Sequence, residues 1–135
     1  MRELKLEARV ENLDQVLAFM DETLEAMDCS MKLQTQIDIA VEEIYVNIAH
    51  YAYTPQVGSA TIQLETYDSP RAVSITFIDE GIPYNPLEKE DPDVTLSAEE
   101  RQIGGLGIFM VKKSMDKVLY RHEDGQNILT LYKEL

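Results

Sequence analysis

Leu4, Leu6, Ala8 and Val10 alternate with polar residues along 2–10, a period of two that predicts a half-buried strand. The period changes after Asn12. Leu13, Val16, Leu17, Met20, Leu24 and Met27 recur at helical spacing, so a helix is expected through about residue 27. Asn12 would be its N-cap, with Gln15 three residues on as the capping-box partner. Ser30 is a second cap. It opens a helix over about 31–53 whose apolar side carries Leu33, Ile37, Val41, Ile44 and Ile48, with Thr54-Pro55 and Gly58 ending it. Alternation then returns twice, over 59–67 around Ala60, Ile62 and Leu64 and over 72–78 around Val73, Ile75 and Phe77, with a turn at Asp68-Ser69-Pro70.

Residues 79–103 are polar and carry Pro83, Pro86 and Pro92; a loop of this length in a compact domain is usually functional or disordered. Gly104-Gly105-Leu106-Gly107 follows, then a short helix over 108–116. Two closing strands, about 117–123 and 127–133, are joined at Glu123-Asp124-Gly125. The order β-α-α-β-β-loop-α-β-β predicts one domain over 1–135. Its fold class is an α/β two-layer sandwich, with helices on one face of a mixed, mostly antiparallel sheet.

Composition narrows the ligands. The chain has 135 residues, 44% of them hydrophobic, with 12 Lys+Arg against 25 Asp+Glu and a net charge of −13. So acidic a chain is unsuited to a nucleic-acid backbone or an anionic membrane surface. It suits a basic protein partner. A bound anion would have to be held by backbone N–H groups and Mg2+ rather than by lysines. Cys29 is the single cysteine, so no intrachain disulfide can form, and it reads as a buried or incidental thiol in a reducing cytoplasm. The sequence has no signal peptide and no membrane-spanning run, which points to a cytoplasmic protein.

Three constellations carry candidate chemistry. Glu43 and Asn47 lie four apart and share a helix face flanking the apolar stripe. A carboxylate there can serve as general base, and an amide oxygen is a hard, neutral ligand suited to Mg2+. Taken alone, such a pair is usually just an ordinary solvated pair. Asp79 ends a strand and opens Asp79-Glu80-Gly81, where an Asp can accept a hydrogen bond from a base amino group and Gly81 lets a ring approach the backbone; the bland reading is an Asp-Gly turn. Gly104, Gly105, Leu106 and Gly107 at a helix start free N–H groups for an anion, aided by the helix dipole. The bland reading there is a hinge. This is no P-loop, because no GKS or GKT follows.

The order of the three, AVEEIYVNIAHYAY (40–53), FIDEGIPYNPLE (77–88) and GGLGIFMVKKSMD (104–116), resembles the Bergerat-fold ATPases over nearly the whole chain. That superfamily includes gyrase-type topoisomerases, histidine kinases and the anti-sigma-factor serine kinases. Size and the Ala52-Tyr53 ending favour the last branch. The resemblance implies the Bergerat ATP-binding fold and an ATP-dependent serine/threonine protein kinase. Asn47 would hold Mg2+, and Glu43 would take the proton from a substrate serine. Asp79 would bind the adenine amino group, with Gly81 bordering the ring. Gly104, Gly105, Leu106 and Gly107 would cover the phosphates, with 84–103 as a lid. Thr130 would assist Asp79. The implied partners are an antagonist protein and a sigma factor, in a homodimer.

Departures from the branch concern the partner more than ATP. Tyr51 stands where relatives usually have His, with His50 one residue earlier, and Ile103 stands where an Arg next to the glycines helps engage the sigma factor. Arg101 reads either as a phosphate or partner contact or as a solvated arginine. An ATP-dependent binding switch with little kinase activity is therefore the alternative function.

Overall fold

The computed structural model describes residues 1–88 and 105–135. Five strands, β1 (Arg2–Glu7), β2 (Ser59–Asp68), β3 (Arg71–Asp79), β4 (Lys117–Glu123) and β5 (Gln126–Glu134), form one sheet in the order β1-β2-β3-β5-β4. All four pairings are antiparallel, so the expectation of a mixed sheet is corrected. Three helices, α1 (Leu13–Ala26), α2 (Met31–Asn47) and α3 (Gly105–Ser114), cover one face. Alternate strand residues Ile62, Leu64, Ile75, Phe77, Leu129 and Leu131 point into that layer and are fully or nearly fully buried. Against them pack Val16, Met20 and Leu24 of α1, Ile37, Val41 and Ile44 of α2, and Ile108 and Val111 of α3. Among the described residues no helix is long and apolar enough to cross a membrane.

The first strand is shorter than its alternation predicts. It ends at Glu7, because the fully buried Tyr45 reaches across from α2. Its hydroxyl accepts from Arg9 N (3.2 Å) and donates to Arg9 O (2.7 Å), with Glu7 O at 3.1 Å. Those backbone groups are lost to the sheet ladder, and Val10 begins a short 3-10 turn, Val10–Asn12. Asn12 is accordingly no helix cap. Its amide donates back to Glu7 O at 2.9 Å. Ser30 does cap α2, accepting from Leu33 N at 3.3 Å. The β4–β5 hairpin turns at Asp124 and Gly125, both at positive φ (53° and 77°), as a two-residue turn matching strand twist requires.

α1 and α2 meet through a carboxyl pair. Asp21 and Asp38 face each other, and each leaves a buried oxygen with no donor among the described residues. Burial first, then the hydrogen bond and charge of Asp21, push the Asp38 carboxyl up to about 8. A folded-state value above the unfolded one means that the folded chain binds the extra proton. The contribution to stability is thus complete below the unfolded value of about 4 and is lost as pH rises through about 8. Asp38→Asn keeps the shape without the ionisation. Its melting temperature should fall less than the wild type's between pH 5 and pH 9, read by circular dichroism; parallel curves would overturn this account. Cys29, nearby and half-buried, has its thiol pushed up chiefly by burial.

Candidate nucleotide site

α2 does not stop cleanly. After Asn47 the backbone widens into a π-helical turn, Ile48–Ala52, of a kind that often marks functional sites. The wider turn carries Ala52 and Tyr53 to the end of β3. Ile82 N donates to Ala52 O at 3.0 Å. A Cβ on Gly81 would collide with the Ala52 carbonyl and methyl, so only glycine allows this approach. Tyr53 fastens the same turn from the other side. Its hydroxyl donates to Ser59 O (2.6 Å) and accepts from Glu80 N (2.7 Å). Gly58 leaves room for its ring. Burial first raises the Tyr53 phenol, and the charges of Asp79 and Glu80 raise it further, so it remains a donor.

Asp79, the last residue of β3, is buried at 6% exposure. Its Oδ1 accepts from Gly81 N and from Asn127 Nδ2, each at 2.9 Å. Its Oδ2 has no donor among the described residues, which leaves one carboxylate oxygen for an incoming amino group. Asn127 sits directly opposite Asp79 on β5. Its amide also donates to Ile82 O (2.9 Å), while its Oδ1 accepts from Tyr84 N (3.2 Å) and from the Tyr120 hydroxyl. The carboxamide is thus fully satisfied while buried. Asn127→Ala should cost about 1–3 kcal/mol in urea unfolding, because Tyr84 N and Ile82 O lose their partner. A loss below about 0.5 kcal/mol would mean water replaces the amide.

Thr130 is not at this site. Its hydroxyl lies 3.1 Å from that of Thr76, directly across on the outer face of the sheet. Strand residues alternate faces, so Asn127, Leu129 and Leu131 face the helices and Thr130 cannot. Asn127 is the residue that the sequence reading missed. The signal was a polar side chain in the apolar phase of 127–133.

Beside Asp79 and Asn127 opens a cavity floored by Ile44, Ile48, Phe77 and Leu129 and flanked by Tyr51, Tyr84 and Tyr120, with Asn47 at its rim. Apolar walls with a few placed polar groups suit a planar base. Asn47 donates through Nδ2 to Glu43 Oε1 at 3.3 Å, which leaves its Oδ1 without a partner among the described residues. The Glu43 carboxylate rests on the first turn of α3, where a Cβ on Gly107 would overlap it. That turn begins at Gly105, so Gly105, Leu106 and Gly107 lie inside the helix rather than before it. Its leading N–H groups have no intrahelical acceptors. Gly104, Arg101 and Ile103 lie outside the described residues. His50 is exposed, with its ring edge-on to Tyr51 at 5.9 Å between centroids.

The Asn47 amide lines this cavity beside the buried Asp79–Asn127 pair, while the Glu43 carboxylate lines a neighbouring groove against the first turn of α3, an arrangement suited to a nucleotide-binding domain of two-layer type. The chain belongs to the family described as histidine kinase-like ATPase domain, which it matches over residues 6–133. It is 31% identical over 102 residues to the serine/threonine-protein kinase BtrW of Bordetella bronchiseptica, covering 76% of this chain and 71% of that one. It is 26% identical over 131 residues to the serine-protein kinase RsbW of Bacillus mycoides, covering 94% and 81%. Its fold is similar to a chain in the crystal structure of the SiaB-SiaC complex from Pseudomonas aeruginosa, with a TM-score of 0.58, 15% identity and coverage of 98% and 89%.

Proposed function

We propose that this chain is a Mg-ATP-dependent protein serine/threonine kinase of the anti-sigma-factor type. It would phosphorylate a serine of a small antagonist protein and thereby regulate a sigma factor. The observation that carries the reading is the hydrogen-bonded Glu43–Asn47 pair, standing between the cavity beside Asp79 and the first turn of α3. The names of BtrW and RsbW support the same activity.

Adenine would lie on the apolar floor with its amino group on Asp79 Oδ2 and its edge beside Gly81. The N–H groups of Gly105, Leu106 and Gly107, with Gly104 before them, would face the phosphates, so an acidic chain could hold an anion without lysines. Asn47 Oδ1, without a partner among the described residues, is the kind of hard oxygen that Mg2+ takes, and the ion would neutralise phosphate charge. Glu43 would accept the serine hydroxyl proton. Asn47, donating to Glu43 Oε1, keeps that carboxylate turned toward α3. Thr130 has no part in this reading, because its hydroxyl is on the other face of the sheet.

A homodimer in the cytoplasm is part of the proposal, as the branch resemblance implies. The test is calorimetric titration with ATP, with and without Mg2+, followed by transfer of labelled phosphate to the antagonist. Mg-dependent binding with transfer supports the kinase. Binding without transfer would leave an ATP-dependent protein-binding switch, and no binding would overturn both.

A further inference from the structure

Glu43 stands on the boundary of two cavities. Its partner Asn47 lines the aromatic one, whereas Glu43 lines a groove between α2 and α3. The groove encloses about 500 Å3, room for a short stretch of polypeptide rather than an ion. Ile39 and Val46 of α2 and Met110 and Val111 of α3 form its walls. Ile39 lies four residues before Glu43 and Met110 three after Gly107, so each stands one helical turn from the Glu43–Gly107 contact. Ile39 is 57% exposed and Met110 52%, two large apolar side chains left uncovered along one groove.

Charge narrows the occupant. Among the described lining residues Glu42 and Glu43 bring acidic side chains and no Lys or Arg is present, in a chain of net charge −13. A covering segment should therefore pair apolar side chains with basic ones.

We propose that the α2/α3 groove docks the serine-bearing segment of the protein substrate, with an apolar side chain of that segment between Ile39 and Met110 and a basic residue near Glu42. The inference rests on the kinase reading above. The base then lies on the Asn47 side of Glu43, and the protein reaches Glu43 along the α2/α3 groove. The serine Oγ–H gives its proton to the Glu43 carboxylate. The Oγ–P bond forms as the bond from the γ-phosphorus to the bridging oxygen breaks, and ADP leaves with that electron pair.

The test uses the full chain carrying 13C-labelled isoleucine and methionine methyls. It is titrated with a synthetic serine peptide that has leucine neighbours and arginine flanks, and with its glutamate-flanked counterpart. Saturable shifts of the Ile39 and Met110 methyls are expected. Affinity should be about tenfold weaker for the glutamate-flanked peptide and for Ile39→Glu, with ATP affinity unchanged in that variant. Shifts at these methyls without phosphoryl transfer would keep the docking surface and remove the kinase reading. Transfer with shifts confined to other methyls would keep the kinase and overturn the groove. No shift with peptide, or shifts that follow protein concentration instead, would overturn the groove as well; the second would mean that a copy of this chain covers it.

Discussion

Glu43→Gln should leave ATP affinity within about twofold and lower phosphoryl transfer by about 10²- to 10⁴-fold, the range a positioned general base contributes. The asymmetry follows from geometry. Glutamine still offers an oxygen to Asn47 Nδ2, which bonds Glu43 Oε1 at 3.3 Å. It also fits the space against Gly107, so the cavity and the start of α3 keep their shape. What disappears is the proton acceptor. Rate and affinity are read separately, by labelled-phosphate transfer and by calorimetry. A variant that transfers phosphate at the wild-type rate would remove Glu43 from the chemistry. A variant that loses ATP as well would make it a binding residue.

Asp79→Asn should do the reverse, weakening ATP by about 10- to 100-fold in a folded protein, since hydrogen bonds to a charged group are worth about 1.5–3 kcal/mol. Asp79 Oδ1 already accepts from Gly81 N and Asn127 Nδ2. An asparagine must keep its oxygen there to avoid setting donor against donor. In the proposed pose its NH2 would then face the adenine amino group, also a donor. Calorimetry of the variant beside a thermal melt decides the matter. Intact folding with wild-type affinity would place the base elsewhere. Lost folding would mean that the carboxylate mainly holds the Gly81 turn.

The helices and strands were legible because each is paced by its own apolar period, and Ser30 opens α2 as its residue type suggests. Glu43, Asn47 and Asp79 could be read as candidates because one lies four residues before another on a single helix and the third closes a strand. The errors share a physical origin. Asn12 looks like a cap, but a distant tyrosine, Tyr45, reorganises the backbone before it. Thr130 looked well placed because nothing local states which residue of β5 stands opposite Asp79. Cross-strand register belongs to the assembled sheet, and it selects Asn127. The π-helical turn after Asn47 was likewise invisible, since its residues continue the helical pattern while the tie from Ile82 to Ala52 comes from elsewhere in the chain.

The antiparallel register of β3 against β5 also bears on how the domain acquires its function. Asp79 and Asn127 are 48 residues apart in sequence and become neighbours only when β5 docks. Closing so long a loop carries an entropy cost that local helix formation does not, so this pairing belongs to the slow, non-local part of folding. A chain still emerging from the ribosome, with β1 to β3 and both long helices complete, would have Asp79 without its partner and no finished floor to the cavity. On the proposed reading, competence to hold a nucleotide would arrive only with the fifth strand, and a partly made copy would not compete with finished ones for ATP.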